Sequence, residues 1–526
     1  MEAARRHWAL SALGLALLVL CAWAFLGGFH AFSAAQDLQF FDESQYLASG
    51  AFAADVGNFS AQWAPPYCLW YRALFRLTGD TIVTYHLNAY VLAFAFPILW
   101  FLACVALRVS PLWALTSALA WLVSSTNLET LRVGVFAACI VLGAIFLAQL
   151  ARRPSISWWF VAAGLWVAAF VRLEFLLAAA STVAIGAWQL WRIGTRRSEV
   201  FVWFVAAIAP FAALCTLFGA PIGGGRSGAA FQQHLAGNIL EWNHQPFENW
   251  IHYEDVIRAH YAVPKGVADF AVHEPLAFVR HLTSNLWRLL TQSIGDAFKP
   301  PAAILDAAHA WAPALILLVV AMSIGAWLIN RDSRFEFGIT PASAALASCS
   351  ALVIASCIVI WPREHYLPLL LCSALLLIAP RAGEGGSAWR AIAAMVAVTA
   401  GGIWMTNYPT SVGDRPRPIE DTVRALRAIE SSRPLKLFDD AGVLQVYAQR
   451  PAQRLGPRDF KPPFDQFLRD RDVTVVIESS GLAKDPVLAP DAAWQRFVAD
   501  PASFGYHCAP VARVDRTLCL RADVSQ

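Results

Sequence analysis

Long apolar runs separated by short polar connections fill the first four-fifths of this chain. Runs near the length that carries a helix across a bilayer core, about 18 residues or more, fall at 8–29, 81–107, 111–125, 133–150, 156–171, 173–191, 199–219, 306–330, 339–361, 366–380 and 388–405. The pattern predicts about 11 transmembrane helices. Arginines mark alternate connections: Arg108, Arg152 with Arg153, Arg192 with Arg196 and Arg197, Arg331 with Arg334, and Arg381 with Arg390. Short basic loops stay in the cytoplasm, so the N-terminus is expected there, with residues 30–80, 220–305 and everything after about 406 on the outer face. The first run follows Arg5 and Arg6 and is too long for a signal-peptide core, so it is read as an uncleaved anchor.

After Pro409 the pattern changes. Ile419 to Glu430 has helical periodicity, Leu435 to Phe438 and Val473 to Ile477 read as short buried strands, and helical stretches fall near 441–449 and 463–470. Tyr506 to Arg521 alternates like a hairpin, in which Cys508 and Cys519 would bridge in an oxidising compartment. The expected architecture is an α-helical polytopic membrane protein, residues 1–405, carrying a small extracytoplasmic α/β C-terminal domain, residues 406–526.

Composition agrees. Of 526 residues 58% are hydrophobic and 15% charged, well below the roughly 25% charged of soluble globular chains, and the mean hydropathy is +0.50. A formal charge of +3 without a basic stripe excludes a nucleic-acid partner. Most of the ten cysteines lie inside apolar runs and no CxxC pair occurs, so zinc or iron–sulfur chemistry has no cysteine support.

The candidate chemistry sits at the outer ends of the runs. Asp42 and Glu43 form an acidic pair just beyond the first run, with Tyr46 one turn on. An ionisable pair at a bilayer surface is costly unless it has work to do. Ala64-Pro65-Pro66-Tyr67 opens an amphipathic segment that ends at Gly79-Asp80; Arg72 and Arg76 share one face of it, as in a helix lying in the interface. Three outer connections each pair an arginine with a carboxylate: Glu129 with Arg132, Arg172 with Glu174, and Arg363 with Glu364, the last followed by His365 and Tyr366. Such pairs tie helix ends together, or present a planar fork to a phosphate. Six of the twelve histidines lie in the 220–305 loop, but their spacing matches no metal motif. Gly223 to Gly228 lacks the Lys-Ser/Thr of a P-loop and reads as a flexible entry to that loop.

Together Asp42-Glu43-x-x-Tyr46, the Pro65-Pro66 segment, Arg172-x-Glu174, and Arg363-x-His365-Tyr366 with Pro368 resemble the GT-C superfamily of membrane glycosyltransferases. The likeness is closest to its protein mannosyltransferase-like and aminoarabinose transferase-like branch, glycosyltransferase family 39 in the broad sense. It follows the order of the whole membrane region; Trp361-Pro362 and the histidine-rich loop depart from it. The resemblance implies an inverting transfer of sugar from a polyprenyl-phosphate donor to a lipid, glycan or protein acceptor, at the outer face of a bacterial cytoplasmic membrane. It implies Asp42 as general base, with Glu43 as alternative base or orienting carboxylate, and Arg363, His365 and Arg172 for the lipid phosphate. Tyr46, Glu129, Arg132, Glu174 and Tyr366 complete the expected substrate-binding set. The residues define no particular cofactor; a divalent cation at the carboxylates is compatible with the acids but unsupported by ligand spacing. The alternatives are a transporter or flippase of an amphiphilic substrate, against which the scarcity of midplane charges speaks, and a non-catalytic membrane scaffold.

Overall fold

The computed structural model describes residues 2–38, 41–53, 59, 63–222, 226–245, 253–293, 339–377, 379, 409, 415–430, 433–448 and 452–524. It divides into two compact units: Met1–Gly28, Ala54–Leu69 and Ala89–Ser411 form the first, and Phe29–Ala53, Trp70–Asn88 and Val412–Gln526 the second.

Among the described residues six helices are long and apolar enough to cross a membrane: Trp8–Leu26, Thr81–Ala106, Arg132–Leu150, Pro154–Val171, Arg197–Phe218 and Pro341–Val359. Proline repeatedly opens a helix, at Pro65, Pro111, Pro154, Pro275, Pro341 and Pro368, because its missing N–H faces no partner in a first turn. Small residues let helices of the first unit approach closely: a Cβ added at Gly164 would run into the Ala144 methyl.

Three expected spans differ. The run at 111–125 yields a helix of 12 residues, Pro111–Leu122, which rises only about 18 Å against a core of roughly 30 Å. Ser124 then caps a short helix, Ser125–Leu128, by accepting from the Asn127 amide. The run at 366–380 gives Pro368–Leu377, preceded by a 3₁₀ turn, Glu364–Tyr366. Phe175–Arg192 has 18 residues, but Gln189 and Arg192 leave it short of the apolar character of the six. The expected spans at 306–330 and 388–405 lie outside the described residues. Loop 220–305 is built largely of helices: Arg226–Trp242, Tyr253–Arg258, Val267–His273 and Pro275–Arg288, the last continued by a π-helical turn, Leu289–Ser293.

In the second unit five strands form one sheet in the order β2-β1-β3-β5-β4, with β1 Leu435–Phe438, β2 Ala452–Leu455, β3 Val475–Ser479, β4 Tyr506–Pro510 and β5 Arg516–Arg521. β1 pairs in parallel with β2 and β3, while β3/β5 and β4/β5 are antiparallel. The expected hairpin is present, and Cys508 and Cys519 face each other across it in a disulfide. β3 starts two residues later than its apolar run, and the 441–449 stretch keeps only one turn, Leu444–Tyr447. The core beneath the sheet is aromatic: Phe438, Phe464, Phe467, Trp494, Phe497 and Tyr506 pack together.

Residues 29–53 and 70–88 belong to this same unit. Asp37 shows how they are held: its carboxylate accepts from the amides of Ile419 at 3.1 Å and Glu420 at 2.8 Å, capping the helix Pro418–Arg427. At the other end of that helix Arg427 reaches Asp80 at 2.7 Å. Asp80 also caps the helix behind it through the amides of Ile82 and Val83.

Asp439, at the end of β1, is fully buried. Burial is the main cause that pushes its carboxyl up to about 6, against a hydrogen bond from the Gly442 amide and the charges of Arg454 and Arg516. The folded state therefore holds this proton more tightly than the unfolded chain. The stabilisation is full below about pH 4 and declines as pH rises to about 6, by roughly 3 kcal/mol. Asp439→Asn is expected to raise the melting temperature at neutral pH and to remove this decline. Thermal unfolding across the window checks it; parallel pH profiles for variant and parent would refute it.

Candidate functional site

The second unit carries the acidic pair. Asp42 and Glu43 fall in the first turn of the helix Phe41–Phe52, where the amide dipoles favour negative charge. Being consecutive, they point about 100° apart around the axis, and their environments differ. Glu43 is buried, 1% exposed. Its Oε1 accepts from the Tyr71 hydroxyl at 2.7 Å and the Asn88 amide at 3.2 Å. Asn88 is held in turn by the Trp70 indole N–H, which donates to its Oδ1 at 2.8 Å. Ser44 bonds the Tyr447 hydroxyl at 2.7 Å, and Tyr46 is buried. Asp42 is only half-buried. The pair thus divides into a buried carboxylate whose Oε1 is held by two neutral donors and one that is partly exposed.

The amphipathic segment is the helix Pro65–Thr78, ended by Gly79 at φ +67°. Tyr67, Tyr71 and Leu74 are buried, while Arg72 is half-buried and Arg76 exposed.

The first unit carries the arginines. Arg172, Glu174, His365 and Tyr366 line one small cleft with Gly134 and Ala138. Arg172 meets Glu174 at 2.7 Å, and its guanidinium lies 4.2 Å over the Tyr366 ring. His365 is buried edge-on against Tyr366, ring centroids 4.3 Å apart. Gly134 makes this possible: a Cβ there would collide with the backbone carbonyl of His365. Burial first, then the charges of Arg172 and Arg363, hold the His365 imidazole well below its usual range. It is therefore a neutral hydrogen-bonding group near pH 7 rather than a cation.

Beyond Arg363 the cluster continues into the histidine-rich loop. His234 stacks on Trp361, 5.2 Å between centroids, and Arg288 lies 3.7 Å over that indole. His234 too is held well below its usual range, by burial and then by Arg363, His281 and Arg288. His281 is pushed down to about 4 by burial and Arg288. Its Nε2 donates to the Val359 carbonyl at 2.9 Å and its Nδ1 accepts from Asn238 at 2.8 Å. The arginines among these histidines are themselves paired, Arg172 with Glu174 and Arg288 with Glu241, so the region offers fixed guanidinium donors whose charge is largely offset in place.

Of the sequence-derived residues, Asp42, Glu43, Tyr46, Arg72 and Arg76 lie in the second unit, and Glu129, Arg132, Arg172, Glu174, Arg363, His365 and Tyr366 in the first. Arg172, Glu174, His365 and Tyr366 come together, with Arg363 close enough to act on His365. Glu129 is exposed. Arg132 is buried, and its guanidinium donates to the carbonyls of Asn127 and Leu128, a local use at the end of a short helix. Sequence reading missed His234, Trp361 and Arg288. The loop histidines were visible, but nothing in their spacing separated the buried His234 and His281 from the exposed His244, His260 and His273. His252 lies outside the described residues. Glu478, Cys508 and Cys519 also converge, but both sulfurs are committed to the disulfide and do not form a metal donor set.

The helices define a multi-pass α-helical membrane protein with a small α/β unit. No protein-family model and no curated protein matches the sequence. Among solved structures the archaeal oligosaccharyltransferase AglB from Archaeoglobus fulgidus, in complex with an inhibitory peptide and a dolichol-phosphate, is similar with a TM-score of 0.44. The match spans 96% of this chain and 73% of that one at 11% identity. A likeness this distant carries no functional argument on its own.

Proposed function

We propose that the chain is a membrane glycosyltransferase that moves a sugar from a polyprenyl-phosphate donor to an acceptor hydroxyl with inversion at the anomeric carbon. One observation carries the reading: arginines and neutral histidines, Arg172, Arg363, His365 and His234, are gathered beside the end of an apolar helix long enough to cross a bilayer. A lipid phosphate presents its charge at that depth, and its leaving oxygen gains charge as the sugar departs. Preorganised cations stabilise that change more than they stabilise the ground state.

The acceptor oxygen attacks the anomeric carbon, the bond to the phosphate oxygen breaks with its electron pair, and the acceptor proton goes to a carboxylate. Asp42 is assigned that proton, because it is the member of the pair within reach of solvent. Glu43, held by Tyr71 and Asn88, orients the helix turn that presents it. The N-terminus is taken as cytoplasmic and the chemistry as extracytoplasmic, in a bacterial inner membrane.

The deciding experiment incubates the purified protein with polyprenyl-phosphate sugars radiolabelled in the sugar. Label leaving the lipid for a water-soluble, glycan or protein fraction is the expected result. Label that stays on the lipid while crossing a liposome bilayer would instead make the chain a flippase.

A further inference from the structure

The helix Pro275–Arg288 has two opposed faces. On one, His281, Asn285 and Leu289 are buried at i, i+4 and i+8. Their polar groups close the end of the span Pro341–Val359: His281 Nε2 donates to the Val359 carbonyl at 2.9 Å, and Asn285 Nδ2 to those of Ile358 at 2.9 Å and Ile360 at 3.1 Å. A helix leaves its last carbonyls without internal partners, and such groups are costly where water is scarce. These bonds fix the Pro275 helix at the level where that span leaves the bilayer.

The other face is apolar and open. Leu276 is 86% exposed, Trp287 69%, Leu290 61% and Val279 55%. Thr283 lies among them, yet its hydroxyl turns back to the carbonyls of Val279 and Arg280, and Thr291 does the same to Trp287. The hydroxyls on this face are thus satisfied by the helix itself. Arg280, by contrast, lies along the Trp242 ring at 4.4 Å.

We infer that this face is seated in the lipid leaflet at the end of the span, as an interfacial helix whose partner is acyl chain rather than protein. Its height is set by the span-end bonds, its open face offers apolar side chains and a tryptophan, and its hydroxyls ask nothing of water. A protein partner would need none of this registration with the end of a span. The seating has a consequence for the arginine cluster: Arg288 closes the helix and lies on Trp361, so immersion of the helix sets the depth of that cation. The inference needs only that the chain spans a membrane and stands apart from the proposed reaction.

The test uses the unsubstituted full-length chain in phosphatidylethanolamine–phosphatidylglycerol vesicles doped with a lipid carrying a diazirine in its acyl chain. After irradiation, labelled positions are read by peptide mass spectrometry. Labelling of Leu276, Val279, Trp287 and Leu290 should match that of Phe201 and Val202, exposed on a membrane-crossing helix. It should exceed by on the order of tenfold that of the ionic helix Tyr253–Arg258. Labelling no higher than on Tyr253–Arg258 would overturn the inference. So would photo-adducts joining this face to a second copy or another protein in place of lipid.

Discussion

Asp42→Asn should lower turnover about a thousandfold while leaving expression and helicity unchanged and shifting the melting temperature by only a few degrees, since a positioned general base contributes roughly 10²–10⁴ and a charge at a helix N-terminus at most about 1 kcal/mol. The carboxamide keeps the shape of the side chain but cannot take a proton, and the half-buried setting of Asp42 tolerates loss of charge. Glu43→Gln is the informative comparison. Its Oε1 accepts from two neutral donors, which an amide oxygen can also satisfy, so the loss should be smaller, about tenfold. Initial rates of label transfer from a polyprenyl-phosphate sugar give both numbers. An Asp42→Asn enzyme with normal turnover would remove the base from the mechanism, and a reversed order would move the role to Glu43.

The next largest effect is expected at a residue with no chemistry. Gly134 sits in the first turn of the helix Arg132–Leu150, against the carbonyl of His365. In Gly134→Ala the new methyl meets backbone, which has no rotamer to yield. The turn Glu364–Tyr366 must shift, taking His365 and Tyr366 with it and withdrawing the ring on which Arg172 rests. We expect a destabilisation of about 3 kcal/mol and transfer reduced about 100-fold. Gly143→Ala, in the same helix with open space around it, should be neutral or stabilising by up to about 1 kcal/mol. Equal behaviour of the two variants in thermal unfolding and transfer assays would refute the account.

Hydropathy exposed the spans because burial in lipid is written in composition, residue by residue. Where the run was short, as at 111–125, composition alone gave no warning that Ser124 would accept an amide and restart the helix. Strand β2 was invisible for a related reason: Ala452–Leu455 is half polar and lies at the edge of the sheet, so it lacks the apolar alternation that betrays a strand. The acidic pair and the arginine connections stood out because charge beside an apolar run is rare. Their partners did not. Tyr71 and Asn88 look like ordinary members of helices, and Arg288 like the basic end of an amphipathic one. Periodicity tells which face is covered; it is silent on which covered group meets which across hundreds of residues.

Asp37 and Asp80 find the amides and the guanidinium that satisfy them on a helix that begins at Pro418. During synthesis both acids leave the ribosome hundreds of residues before those partners exist. Their segment must therefore wait, incomplete, until nearly the whole polypeptide has been made. A message cut short anywhere in the membrane region would yield a product in which Asp37 lacks the two amides of that helix and Asp80 keeps only its local cap on Ile82 and Val83.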